Sequence, residues 1–172
     1  MRRDVFISYA HKDQAVQARE LAAWLENKGL SCWLDHDELR AGSEYDKQIL
    51  DAIRGCRVML ALVSTGSIRS KYVPFEVSAA AGIQKLVVLA IMEDLPLETL
   101  DRPFNAKASG IQFRKLYSTT DLDGEKERLA WDLQEHCTTH RNRQRLRGLG
   151  IAGLIIAAML TGWVLRPMAS LL

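Results

Sequence analysis

The chain has 172 residues, which is enough for one domain of ordinary size and an appendage. Its 23 basic and 21 acidic residues give a net charge of +2, so the composition predicts no binding to nucleic acid or to acidic substrates. The three cysteines are widely spaced and odd in number, which is typical of reduced thiols in a cytosolic compartment. Cys32 and Cys56 are predicted to be core residues.

Strand and helix signals alternate along the chain, and this alternation predicts a parallel sheet flanked by helices. The predicted strands are 4–9, 31–35, 57–63, 86–91 and a short edge strand at 111–113. The predicted helices are 13–28, 43–54, a third that begins at Pro74, and 121–140. Between the last two strands, residues 92–109 are predicted to be irregular, with a weak turn of helix.

Local signals place the ends and the buried side of the first two helices. Gly29 is predicted to end the first helix, and Ser43 to cap the second. The apolar residues of the first helix are expected on its buried side, namely Val16, Leu21, Trp24 and Leu25.

The segment from Ser70 to Glu76 follows an apolar run at 58–63 that is typical of a strand covered on both faces. Residues 64–72 are predicted to be a loop, and Glu76 is expected in the first turn of the helix that Pro74 begins. Two interpretations of Glu76 remain open. Either its charge stabilises the positive end of the helix dipole, or it overlooks the crevice where open α/β sheets bind ligands.

The C-terminal part of the chain has a different composition. Residues 148–165 form an uncharged apolar run that would reach ~27 Å as a helix, close to the thickness of a bilayer's hydrocarbon core. This run predicts a single-pass membrane protein with the lipid bilayer as a partner. The arginine-rich segment before the run predicts that the N-terminal side is cytoplasmic. A buried core helix is the alternative. The predicted parts are a domain at 2–137, a basic juxtamembrane segment at 138–147, a transmembrane helix at 148–165 and a short tail at 166–172.

Several short motifs resemble known functional sites, but the residues or strands that such sites require around them are missing from the sequence. His136-Cys137-x-x-His140 has helical spacing but no third ligand, so no metal site is predicted. The run at 148–153 matches the dinucleotide pattern G-x-G-x-x-G, but no strand precedes it. A phosphoacceptor receiver domain needs acidic residues at the ends of the first and third strands, where this chain has Ser8-Tyr9 and Val63-Ser64.

Three separated pieces of the chain together resemble the Toll/interleukin-1 receptor (TIR) domain family. They are Asp4-Val5-Phe6-Ile7-Ser8-Tyr9 with residues 10–13, Leu34-Asp35 through Leu39 and Gly42, and Ser70-x-Tyr72-Val73-x-x-Glu76. The resemblance covers about residues 2–137 and implies a flavodoxin-like α/β fold with a five-stranded parallel sheet. Many members of the family hydrolyse NAD, and others act only as signalling adaptors.

Carried over by position, the resemblance implies that Glu76 is the catalytic residue. It also implies substrate contacts by Ser8, Tyr9, Ser70 and Tyr72, and roles in loop gating or assembly for Asp37, Leu39 and Gly42. For the two serines the alternative is turn and cap chemistry, and Phe6 and Trp33 are either pocket walls or core residues. The chain departs from the family at Ala41, where many members have proline, and at Ala10 and His11, where several active members have arginine.

The function expected from these observations is that of a membrane-anchored signalling or effector protein that hydrolyses NAD⁺ to nicotinamide and an ADP-ribose product when its chains assemble. Whether the product is linear, cyclic or transferred to another acceptor is left open. NAD⁺ is then a substrate, and no cofactor is predicted. The expected partners are other TIR domains, most simply in a homo-oligomer. The alternative is a non-catalytic TIR adaptor that recruits its partners at the membrane.

Overall fold

The structure is a computed structural model that describes residues 3–34, 43–105, 110–117 and 121–142. The chain divides into two compact units, Met1–Cys137 and Thr138–Leu172. Of the second unit only residues 138–142 are described, and they are helical. Among the described residues no helix combines the length and the apolar character that a membrane crossing requires. The predicted transmembrane helix at 148–165 lies outside them and stays a prediction.

Five parallel strands form one sheet in the order β2-β1-β3-β4-β5. The strands are β1 Val5–Ser8, β2 Cys32–Leu34, β3 Val58–Val63, β4 Leu86–Ile91 and β5 Ile111–Lys115. This confirms the predicted flavodoxin-like order. Because every pairing is parallel, the first residues of the strands share one edge of the sheet, the amino edge, and the last residues share the other, the carboxyl edge.

The described helices follow the predicted pattern, but the first begins two residues before the predicted start at residue 13, and two further differences lie around the start of the fourth. The helices are α1 His11–Asn27, α2 Ser43–Gly55, α3 Thr65–Arg69, α4 Tyr72–Gly82, α5 Asp101–Phe104 after a 3₁₀ turn at Leu97–Leu100, and α6 at 122–142. The expected loop at 64–72 contains α3, and α4 begins at Tyr72, before Pro74.

The two differences around the start of α4 have a cause in serine capping. Ser64 and Ser67 form a reciprocal capping box, in which each side chain accepts a hydrogen bond from the other residue's backbone N–H, at 3.1 and 2.8 Å. This is enough to begin a short helix. The Ser70 hydroxyl then accepts from the backbone N–H of Tyr72 at 3.1 Å and of Val73 at 3.4 Å, so α4 begins two residues earlier than the proline indicates.

Apolar clusters cover both faces of the sheet, which explains why the strands read as continuous apolar runs. One cluster packs α1 and α6 against the sheet, and the other packs α2, α4 and α5 against the opposite face. Along β1, Val5 and Ile7 face the α1 and α6 side while Phe6 faces the α4 side. Ser8 therefore also points towards α4.

The buried side of α1 differs from the prediction at Val16, which is 62% exposed, and Trp24 is only partly buried. The buried residues of this helix are Gln14, Ala18, Leu21, Ala22 and Leu25. Val16 lies two residues from both Gln14 and Ala18, so it falls on another side of the helix. Gly29 ends the helix region with a φ of 85°, as predicted.

The predicted core positions of Cys32 and Cys56 are confirmed, since both thiols are free and buried. Burial raises the pKa of Cys32 to about 12 and that of Cys56 to about 11. Both side chains are therefore neutral at physiological pH, as apolar packing requires.

Asp4 joins the starts of three strands at the amino edge. Its backbone carbonyl accepts from the N–H groups of Arg57 and Val58, each at 3.0 Å. Its carboxylate accepts from the backbone N–H of Ser31 at 3.0 Å and from the Ser31 hydroxyl at 2.9 Å, and it forms an ion pair with Arg57 at 2.6 Å. Hydrogen bonds and an opposite charge therefore offset the desolvation of this buried carboxylate.

Candidate functional site

The candidate site is centred on Glu76, which belongs to the buried side of α4. The buried residues of this helix are Val73, Glu76, Val77 and Ala80, which recur at the three- and four-residue spacing of a single helix face. Apolar residues fill the other three positions of this face. Glu76 is only 2% exposed, so a carboxyl group occupies a position where an apolar side chain would pack at lower cost.

Ser8 forms a hydrogen bond with this carboxyl group. It is the last residue of β1, its side chain is fully buried, and its hydroxyl donates to Glu76 Oε2 at 2.5 Å. The two residues are 68 positions apart, and the strand order brings them together at the carboxyl edge. This is the edge at which open α/β sheets bind ligands.

The helix-cap interpretation of Glu76 is wrong. Within α4, all of whose residues the structure describes, the first turn holds no acidic residue, because Glu76 is the fifth residue of the helix. The capping oxygen is the Ser70 hydroxyl instead. The favourable effect of a carboxylate on the helix dipole falls off beyond the first turn, so capping does not account for Glu76.

The other predicted contact residues lie in different surroundings. Ser70 and Tyr72 adjoin at the start of α4, where Ser70 is the cap and Tyr72 packs partly buried against the cluster on the α4 face. Tyr9 belongs to the cluster on the α1 and α6 face, and its ring lies 4.6 Å from that of His11. The structure therefore brings Ser8 to Glu76 and places Tyr9 on the opposite face of the sheet.

Two further groups of predicted residues have different outcomes. Phe6 is fully buried and stacks on Trp33, with ring centroids 4.6 Å apart, which favours the core interpretation of Phe6. Asp37, Leu39 and Gly42 lie outside the described residues, so their roles in loop gating and assembly stay predictions.

A contact that the sequence analysis missed lies beside the site. The Asp13 carboxylate accepts from the Ser64 hydroxyl at 3.1 Å, which ties the first turn of α1 to the start of α3. A Cβ at Gly66 would lie 2.1 Å from Asp13 Oδ2, so only glycine allows this approach without a shift of Asp13. The Ser-Thr-Gly-Ser sequence after β3 was the available signal, because serine after a strand is a common helix cap.

An ionised carboxylate at this edge suits a reaction in which positive charge develops on the substrate. The neighbouring hydroxyl of Ser8 can only donate to it, because an ionised carboxylate has no proton to give. In the conformation described, the side chain is nevertheless enclosed. Substrate contact therefore requires the carboxyl edge to open.

Comparison with known proteins finds two curated relatives that match part of the chain. A probable 2' cyclic ADP-D-ribose synthase, TcpO from Methanobrevibacter olleyae, is 28% identical over 101 residues, which make up 58% of this chain and 30% of that protein. The 2' cyclic ADP-D-ribose synthase BtTIR from Bacteroides thetaiotaomicron is 28% identical over 75 residues, 44% of this chain and 26% of that protein. The matches thus span less than a third of either relative.

A solved structure supports the fold alone. The TIR domain of the Toll-related receptor TRR-2 from Hydra magnipapillata superposes with a TM-score of 0.59 at 16% identity, over 77% of this chain and 98% of that one. Residues 5–130 match the family model of the TIR domain, and the chain therefore belongs to the TIR domain family.

Proposed function

We propose that this TIR domain cleaves NAD⁺ between nicotinamide and ribose, with Glu76 as the catalytic residue. The observation that carries the proposal is the carboxyl group of Glu76, buried at the carboxyl edge and hydrogen-bonded to Ser8. A buried charge lowers the stability of a fold, so its presence at a ligand-binding edge favours a role in chemistry. The names of the two bacterial and archaeal relatives support the same reaction class.

The chemistry requires only one carboxylate. The bond between ribose C1′ and the nicotinamide nitrogen breaks, and its electron pair stays on the nitrogen. Nicotinamide leaves as a neutral molecule because the ring was cationic, so no general acid is needed, unlike in most glycoside hydrolases. Glu76 stabilises the positive charge that develops on the ribose. An oxygen nucleophile then bonds to C1′ and releases its proton.

Two nucleophiles are compatible with this reaction. Water gives linear ADP-ribose, whereas a ribose hydroxyl of the same molecule gives a cyclic product. Both relatives are named as 2' cyclic ADP-D-ribose synthases, one of them as probable, and this supports ring closure, one of the outcomes that the sequence left open. Chromatography of the products separates the two outcomes.

Assembly is the step that we propose opens the site. Glu76 is enclosed in the single chain, and contacts between TIR domains of several chains would move the segments that cover it. We propose that residues 148–165 cross the membrane once, with the N-terminal domain on the cytoplasmic side. Confinement to a bilayer raises the local concentration of the domains and favours a homo-oligomer.

A non-catalytic adaptor is the second candidate, and the enclosed position of Glu76 favours it, because a closed site does not reach substrate. In that case the same TIR contacts would recruit partners without NAD⁺ turnover. The two candidates differ in one measurable property, which is nicotinamide release by the assembled protein.

The test uses the full chain in liposomes, at a density that brings the domains together. Glu76→Gln keeps the size of the side chain and removes its charge, and Glu20→Ala on the exposed side of α1 is the control. We expect Glu76→Gln to lower the rate of nicotinamide release by about 10² or more, by analogy with the loss of other electrostatic groups. The control should match the wild type.

Equal rates for wild type and Glu76→Gln would contradict the assigned mechanism, and an inactive wild type at every density would favour the adaptor. Localisation has its own check. Deletion of residues 141–172 should move the protein from the membrane fraction to the soluble fraction, and a full chain that is already soluble would contradict the proposed anchor.

A further inference from the structure

Ser8 is a polar residue in an apolar part of the sheet. It ends β1, pairs in register with Ala61 of β3, and its neighbours along the strand are the fully buried Phe6 and Ile7. The resemblance to the family predicts that this hydroxyl contacts substrate. Its complete burial and its bond to Glu76 point to a different role.

The donor capacity of the hydroxyl limits what Ser8 can do. A serine hydroxyl has one hydrogen to donate, and here that hydrogen is directed to Glu76 Oε2. The same hydrogen is not available to a substrate hydroxyl or phosphate while this bond exists. An ionised carboxylate, in contrast, accepts several hydrogen bonds. Glu76 can therefore accept a hydrogen bond from a substrate while it also accepts the one from Ser8.

The position of the donor is fixed more firmly than that of the acceptor. Ser8 has one side-chain torsion and is attached to a strand held by neighbours on both sides, β2 and β3. Glutamate has three side-chain torsions and loses considerable rotamer freedom when it is held in one geometry. A donor on a rigid strand therefore defines where the carboxylate lies.

We propose that Ser8 is a positioning residue, whose hydroxyl holds the Glu76 carboxylate in the orientation that NAD⁺ cleavage requires. The inference rests on the proposed function. In this role Ser8 forms a hydrogen bond to the catalytic group and does not contact the substrate directly. Loss of the hydroxyl should therefore lower kcat and leave KM for NAD⁺ nearly unchanged, because the substrate itself loses no contact.

The test measures kcat and KM for nicotinamide release by the full chain in liposomes. Ser8→Ala removes the donor, and we expect kcat to fall about 10- to 100-fold, as a small misplacement of a catalytic group does. KM for NAD⁺ should stay within about threefold. Ser8→Thr keeps the hydroxyl and should recover most of the kcat, and Ser8→Cys, a weaker donor of similar size, should be intermediate.

Ser67→Ala is the matched control for a purely structural effect. Ser67 is also a fully buried serine, but its hydroxyl bonds to the backbone of Ser64 and not to Glu76. Its loss should lower the melting temperature and leave kcat unchanged. If Ser8→Ala is too unstable to assay, the order of kcat among wild type, Ser8→Thr and Ser8→Cys still decides the question.

Three results would overturn the inference. If Ser8→Ala raises KM and leaves kcat unchanged, Ser8 contacts substrate instead. If Ser8→Ala raises kcat, the Ser8 hydroxyl holds Glu76 in an inactive position. The third such result is that Ser8→Ala changes neither kcat nor KM. If Glu76→Gln loses activity and Ser8→Ala does not, only the positioning role is wrong. If the wild type releases no nicotinamide, the proposed function and this inference are both wrong.

Discussion

The amino and carboxyl edges of the sheet each hold a buried carboxyl group, and the two groups have different neighbours. At the amino edge, Asp4 meets the guanidinium of Arg57 and two donors of Ser31. At the carboxyl edge, Glu76 accepts a hydrogen bond from the hydroxyl of Ser8. The first arrangement pairs a negative charge with a positive one, and the second includes a hydrogen bond from a neutral donor.

This difference separates a structural carboxylate from a reactive one. The charge of Asp4 is balanced within the fold, where it links the starts of β1, β2 and β3. The Ser8 hydroxyl orients the carboxyl group of Glu76, and because it is neutral it does not itself cancel the charge of a carboxylate there. The contrast predicts that changes at the amino edge affect mainly stability, whereas changes at the carboxyl edge affect mainly activity.

The largest effect on stability is expected from Arg57→Met, which removes the guanidinium that pairs with the buried carboxylate of Asp4. We expect a loss of about 3–5 kcal/mol in the free energy of unfolding, measured by urea denaturation of the full chain in mild detergent. Arg54→Met on α2 is the control, because Arg54 is exposed and pairs with Asp51 on the surface. That pair should contribute about 0.5 kcal/mol or less, and equal losses in the two variants would contradict the contrast between the edges.

A smaller change of opposite sign is expected at the carboxyl edge. The double variant Ser8→Ala with Glu76→Met replaces the polar pair by apolar groups of similar size. We expect it to gain about 1–4 kcal/mol in the free energy of unfolding, because no buried carboxyl group has to be desolvated. Glu76→Met alone should gain less, since the Ser8 hydroxyl then loses this acceptor. A double variant that is less stable than the wild type would give Glu76 a structural role like that of Asp4.

The smallest effect is expected at the start of α4. Ser70→Ala removes the oxygen that accepts from Tyr72 and Val73, and it should cost about 1 kcal/mol. Ser78→Ala makes the same substitution at an exposed position of the same helix, where alanine is the better helix former. Thermal melts should therefore separate the two variants, and a similar shift in both would contradict the role of Ser70 as the cap.

The parts of the fold that follow from burial could be predicted from the sequence. The bounds of β4 were predicted as observed, because a continuous apolar run is typical of a strand covered on both faces. The start of α4 was wrong, because Pro74 satisfies the usual rule for a first helical residue while the Ser70 hydroxyl decides the outcome. Helix α3 was missed because its start depends on a side-chain cap rather than on an apolar pattern.

The candidate site could be predicted only in part. The sequence predicted that Glu76 overlooks the crevice, and the family resemblance implied that Ser8 contacts substrate, but no contact between the two residues was predicted. Their hydrogen bond depends on the depth at which α4 packs, and a single sequence does not contain that distance. One signal was available and unused: Glu76 interrupts the apolar side of α4 at Val73, Val77 and Ala80.

The strand order also affects how the chain folds during synthesis. Since all pairings are parallel, none can form as a local hairpin, and β1 takes partners on both sides from later in the chain. Val5 pairs with Val58, so at a synthesis rate of 5–20 residues per second one side of β1 waits about 3–10 s for β3. During that interval the nascent chain presents an apolar strand with unpaired backbone groups, and such a strand favours aggregation of the unfinished chain.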